Sequence, residues 1–200
     1  MNKSDVAELY FITYIENVPS ILKRGILSHN KSRNINFRDI SERGVQERRA
    51  KKKIPGTNKS LHDYANLYFD AHNPMLSARR SENNEICVLR IKNSILDVEG
   101  VIVTDKNAAR ECWFKTVDEG LPLLNKDEIY ATFWIDSNDP IKEYKHAGIK
   151  CAEVLVPDCV HSDYIIGAYV ANNTALNNLC YLFDFDATIK RELFFKARLL

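Results

Sequence analysis

The chain has 200 residues, 45% of them hydrophobic and 28% charged, with 28 Lys and Arg against 27 Asp and Glu for a formal net charge of +1. That length suits one domain around a substantial core, so residues 1–200 are expected to form a single domain. No apolar run approaches the roughly 20 residues of a bilayer span, the opening Met1-Asn2-Lys3-Ser4-Asp5 lacks a signal-peptide pattern, and the charge balance excludes a uniformly basic nucleic-acid binder; a soluble cytoplasmic protein with no membrane association is the expectation.

The first expected strand is Glu8 to Thr13, rich in aromatic and β-branched residues. A short helix follows, with Asn17 as its cap, Pro19 in its first turn, Gly25 at its end and Ile21 and Leu22 as its buried stripe. After a polar stretch from Ser28, Ser41 to Lys53 reads as helical, capped by Ser41 and stopped by Pro55-Gly56. Here Arg43, Arg48, Arg49, Lys51, Lys52 and Lys53 face a single acid, Glu47, so positive charge is concentrated locally in a neutral chain. Val45 is the segment's large apolar residue, and Arg49 lies one turn beyond it on the same face. Arg49 is therefore expected to turn toward the protein, with Arg48, Lys51 and Lys52 toward solvent.

The run Leu61-His62-Asp63-Tyr64 to Tyr68-Phe69 is either an aromatic core segment or the wall of a pocket for a flat ligand. Arg79 to Asn84 reads as a solvated charged loop. Further strands are expected at Ile86 to Ile91, Val101 to Thr104, Ile129 to Ile135, Cys151 to Val156 and Tyr164 to Val170, with helices at Lys106 to Trp113, Pro140 to His146 and Asn172 to Leu182. Strands dominate without strict βαβ alternation, which indicates an α+β fold.

Glu153 is anomalous. It is a carboxylate among Cys151, Ala152, Val154, Leu155 and Val156, and burying it unpaired costs several kcal/mol. It must sit at a strand end, pair with a cation or face a cleft; a salt-bridged glutamate and a catalytic one both satisfy this. The five cysteines form no CxxC pair and are read as free thiols, and no histidines or cysteines have metal-ligand spacing, so no metal is expected. P-loop, GxGxxG and HExxH motifs are absent.

Several segments together carry a family resemblance. They are Tyr10-Phe11-Ile12-Thr13 with Glu16-Asn17, Leu27-Ser28-His29-Asn30, Val45-Gln46-Glu47-Arg48-Arg49, Leu61-His62-Asp63-Tyr64, Tyr68-Phe69, Pro74-Met75-Leu76, Val103-Thr104-Asp105, Ala152-Glu153, and Ile189-Lys190-Arg191 before Phe194-Phe195. In this order they resemble the DarT toxins, DNA ADP-ribosyltransferases of toxin–antitoxin systems.

The resemblance implies an ADP-ribosyltransferase fold of the kind shared with poly-ADP-ribosylating enzymes, built on a split, mostly antiparallel central sheet. It implies NAD⁺ as co-substrate and a base in single-stranded DNA as acceptor, thymine favoured over guanine, with nicotinamide released. It also implies a macrodomain antitoxin as partner of a monomeric toxin. Glu153 and Arg49 fall on the family's catalytic positions. NAD⁺ contacts fall on Phe11, Ile12, Thr13, Ser20, Leu27, Arg49 and Tyr68. The basic residues Arg43, Arg48, Lys51, Lys52 and Lys53 are expected to track DNA phosphates. Many family members carry histidine where this chain has Phe11, and phenylalanine cannot make a histidine's hydrogen bond to the nicotinamide-side ribose. The same fold acting on RNA or protein, and a catalytically silent binding module, are the alternatives.

Overall fold

In a computed structural model, residues 1–182 and 186–196 are described. Ten strands are β1 (Glu8–Tyr14), β2 (Ile26–Leu27), β3 (Tyr64–Tyr68), β4 (Ile86–Lys92), β5 (Ile102–Thr104), β6 (Phe114–Thr116), β7 (Glu153–Pro157), β8 (Cys159–Val160), β9 (Ile165–Val170) and β10 (Ala187–Ile189). Eight of them form one sheet in the order β10-β9-β4-β1-β3-β7-β5-β6, and β2 pairs with β8 separately. Every pairing is antiparallel except β9 with β10. The α-helices are short: α1 (Val18–Arg24), α2 (His29–Ser32), α3 (Arg43–Ala50), α4 (Pro74–Ala78), α5 (Val117–Gly120), α6 (Lys126–Ile129), α7 (Pro140–Ile149) and α8 (Asn173–Leu182). The α+β expectation holds. None of these helices is long and apolar enough to cross a membrane.

The sheet is split at its centre. β1 pairs with β4 along its full length, from Glu8↔Lys92 to Tyr14↔Ile86, but with β3 only at Tyr10↔Tyr68. Beyond that pair the edge of β1 from Phe11 onward has no strand partner on the β3 side among the described residues. β3 in turn pairs fully with β7, which sets Tyr68 beside Glu153. Cross-strand partners point to one face, so Tyr10, Tyr68 and Glu153 share a face. Behind the opposite face lies the larger core, including Leu9, Leu67, Leu89, Val103 and Val154. Central strands buried on both faces explain why their sequences read as continuous apolar runs.

Three expectations are corrected. Ile129 to Ile135 is not a strand: α6 ends at Ile129, and Phe133 and Ile135 are exposed without a neighbouring strand to pair with. Lys106 to Trp113 is not a helix, because its polar groups are engaged elsewhere. The Thr104 hydroxyl donates to the Lys106 carbonyl, the Asn107 side chain accepts from the Ala109 N–H, and Lys52 takes the carbonyls of Ala108 and Arg110. Such side-chain bonds compete with the helical ladder. Arg79 to Asn84 is tied down and not a solvated loop: Arg79 donates to the Ile40 carbonyl at 2.8 Å, and Glu82 accepts from the Tyr14 hydroxyl.

Local signals fared better at the helix ends. Pro19 lies in the first turn of α1, and Gly25 ends it at φ 81°. A Cβ on Gly25 would meet the Cys159 sulfur and the Val160 carbonyl as well as being strained. The buried residue of α1 is Val18, while Ile21 and Leu22 are half-buried. Asn17 occupies the cap position, but its side chain instead bridges Thr13 and the backbone of Arg38. Glu42, not Ser41, is the cap residue of α3, and the helix stops at Ala50, before Pro55.

Candidate active site

Where β1 and β3 part, a cleft of about 370 Å³ opens. Phe11, Ile12 and Thr13 of β1 line one side and Asn66 and Tyr68 of β3 the other; Leu27, α3 and the turn into α4 close over it. Thr13 is buried, and its hydroxyl accepts from the Asn17 amide at 3.2 Å, which holds its side chain in place. Phe11 is half-buried, and its ring packs on the larger core.

Arg49 descends from α3 into the base of this cleft. Only 5% of it is exposed, and it is the one buried residue of that helix. Arg48, rotated by about 100°, is exposed at the rim. One-turn spacing from Val45 therefore singles out the inward-facing arginine, although Val45 itself is only half-buried. Beneath Arg49 lies Glu153, fully buried at the first position of β7. Arg49 Nη1 donates to Glu153 Oε1 at 3.0 Å and Oε2 at 2.9 Å, and the Ala108 N–H donates to Oε1 at 3.0 Å. The Glu153 N–H donates to the Thr104 hydroxyl at 3.1 Å. Glu153 is thus both at a strand end and paired with a cation, which resolves its anomaly. It does not itself border the cleft; Arg49 lies between.

Tyr68 stands next to Glu153 in register and is 7% exposed. Burial, and then the Glu153 charge, push its phenol well above the usual range, so it is a neutral donor. The aromatic run is both core and pocket wall: Leu61 and Phe69 are buried in the interior, while Tyr68 lines the cleft.

Other expected site residues lie elsewhere. Ser20 is half-buried on α1, outside the cleft lining. Arg43, Lys51 and Lys53 are exposed, and Arg43 pairs with Glu47 at 3.1 Å. Lys52 is not a free surface cation. Its ammonium donates to the Ala108 carbonyl at 2.8 Å and to the Arg110 carbonyl, because the 105–113 loop turns these acceptors toward it.

Several polar cleft residues were not singled out from the sequence: Gln46, His29, Asn66, Asn107 and Arg110. Gln46 sits in the arginine motif, one turn before Arg49, and spacing alone would have placed it on the same face. His29 stacks on His62, with ring centroids 4.1 Å apart, and His62 Nε2 lies 3.1 Å from Gln46 Oε1. Burial, and then nearby His29 and Arg49, push the His62 imidazole down to about 4, so it is neutral.

Comparison with known proteins agrees with this geometry. A family model described as "ssDNA thymidine ADP-ribosyltransferase, DarT" matches residues 10–194. A Thermosipho africanus DNA ADP-ribosyl transferase-DNA ADP-ribosyl glycohydrolase fusion protein is 30% identical over 184 residues; the match takes in 86% of this chain but only 44% of that protein. A DNA ADP-ribosyl transferase from a Thermus species is 31% identical over 152 residues, 70% of this chain and 71% of its own length. Among solved structures, Thermosipho africanus DarTG in complex with ADP-ribose has a TM-score of 0.82 at 28% identity, covering 94% of this chain and 51% of that one. Thermus sp. 2.9 DarT in complex with ADP-ribosylated ssDNA has a TM-score of 0.79 at 25% identity, covering 98% and 99%. The split sheet, the paired Arg49 and Glu153 beneath its cleft and the match along nearly the whole length lead to one conclusion: the chain belongs to the DarT family.

Proposed function

We infer that this chain transfers ADP-ribose from NAD⁺ to a base in single-stranded DNA, releasing nicotinamide, and that thymine is the favoured acceptor. The observation that carries this reading is the buried Arg49–Glu153 pair at the base of a cleft opened by the split between β1 and β3. NAD⁺ lies along the free edge of β1, against Phe11, Ile12, Thr13, Leu27 and Tyr68, where unpaired strand groups supply hydrogen bonds to the nicotinamide amide. Breaking the bond between ribose C1′ and the nicotinamide nitrogen leaves positive charge on the sugar, which a fixed carboxylate stabilises. Glu153 orients the ribose and takes the proton from the attacking ring nitrogen. Arg49 shields Glu153 until substrate arrives; its remaining N–H groups suit an NAD⁺ phosphate or a base carbonyl.

Arg48, Arg43, Lys51 and Lys53 follow the DNA backbone as exposed cations. The name of the fusion relative joins a transferase to a glycohydrolase, and we assign the reversing activity to a macrodomain partner. The chain acts as a monomeric toxin in the cytoplasm. The test is incubation with labelled NAD⁺ and, separately, single-stranded DNA, duplex DNA, RNA and lysate protein, followed by mass spectrometry. Label in single strands alone supports the reading. Label in RNA or protein transfers it to another acceptor, and no label anywhere marks a silent module.

A further inference from the structure

The Gln46 side chain has one hydrogen-bond partner among the described residues, and that partner orients its amide. The contact joins Gln46 Oε1 to His62 Nε2 at 3.1 Å. With the amide oxygen facing it, Nε2 is the protonated, donating nitrogen of the neutral ring; the other tautomer would require the amide to be turned over. His62 is itself held: it is buried, and its ring is stacked on His29 at 4.1 Å. The amide nitrogen of Gln46 has no partner among the described residues, and Gln46 lines the cleft on α3 one turn before Arg49. The result is a preorganised N–H donor beside the Arg49–Glu153 pair.

We propose that Gln46, oriented by His62, reads the target base: its amide N–H donates to a ring carbonyl adjacent to the nitrogen that attacks the sugar. The inference rests on the reading that the cleft takes an unpaired base. The chemistry selects a lactam, a ring N–H beside a C=O. Thymine and guanine present one; adenine has no carbonyl, and the ring nitrogen of cytosine beside its carbonyl carries no proton. When Glu153 takes the lactam proton, electron density moves onto the carbonyl oxygen while the nitrogen attacks C1′ and nicotinamide leaves with the electrons of the broken bond. A donor already aimed at that oxygen stabilises the developing charge without reorganising. Gln46 is then a specificity-determining residue, and His62 a positioning residue acting through it.

The test compares the wild-type chain with Gln46→Met, Gln46→Glu and His62→Phe. Each is given NAD⁺ and single-stranded oligonucleotides that differ at one base: thymine, 2-thiothymine or 4-thiothymine. Sulfur is a weaker acceptor than oxygen, so a direct contact makes the wild type discriminate against one thio base. Gln46→Met should slow thymine modification by roughly a hundredfold to a thousandfold and lose that discrimination. Gln46→Glu should be slower still, since a carboxylate opposes a carbonyl oxygen. His62→Phe keeps a ring on His29 but removes the donor, and should relax discrimination in the same sense; a merely structural role would slow every base equally. Unchanged keto-to-thio ratios in Gln46→Met, or full activity in Gln46→Glu, overturn the proposal. A wild-type chain that modifies no DNA base overturns instead the functional reading on which it rests.

Discussion

Arg49 uses a single nitrogen, Nη1, to hold both carboxylate oxygens of Glu153, at 3.0 and 2.9 Å, yet only Arg49 borders the cleft. The two partners therefore differ in what their loss leaves behind. Arg49→Ala strands a fully buried carboxylate with the Ala108 N–H as its remaining side-chain partner, and breaking a buried pair in this way costs ~3–5 kcal/mol. Glu153→Gln leaves a guanidinium that can turn into cleft water and costs less. Both variants should lose nearly all transfer activity. Urea unfolding of the two, side by side, checks the asymmetry; equal destabilisation would contradict it.

Arg48 and Arg49 are neighbours on α3 with opposite environments, one exposed and one 5% exposed. Arg49→Ala should reduce turnover by two or more orders of magnitude, the scale of losing one positioned charge stabiliser. Arg48→Ala should reduce it far less and recover at low salt, as expected for a screened phosphate contact. Steady-state rates at two ionic strengths decide the matter, and similar, salt-independent losses in both would make the cluster an undifferentiated basic patch.

The three lysines after α3 should separate into two behaviours. Neutralising Lys51 and Lys53 should weaken binding to single-stranded DNA and flatten its salt dependence by roughly 0.7 log units for each lysine–phosphate ion pair removed. Lys52→Met should leave the salt slope nearly unchanged and lower turnover, because Lys52 braces the loop whose Ala108 N–H holds Glu153. Fluorescence anisotropy across a salt series, together with rates at saturating DNA, distinguishes the two.

His62 makes stability depend on pH. Its imidazole sits at about 4 in the folded chain, against roughly 6.5 when unfolded. Between those values the unfolded chain binds more protons, so stability is full above about pH 6.5 and is lost as pH falls toward 4. The melting temperature should drop between pH 7 and pH 5, and drop less in His62→Phe. An identical drop in both would mean that His62 does not set the pH dependence.

The sequence by itself determined the α+β class, five of the ten described strands (β1, β4, β5, β7 and β9, but not the β3 that carries Tyr68), the turn at Gly25 and the inward direction of Arg49. These depend on nearest neighbours: alternation, caps and a one-turn spacing from Val45. It also marked Glu153, because an isolated carboxylate in an apolar strand must be compensated somewhere. Only the tertiary structure decided what compensates it, since Arg49 is 104 residues away in the chain. The same holds for Lys52, whose charge looked like surface until the 105–113 loop brought two carbonyls to it. It holds for Gln46 too, whose partner, His62, comes from another segment. Periodicity says which face a side chain occupies; which donors and acceptors meet there is set by loops whose backbone bonds are made at long range, and a local pattern carries no record of them.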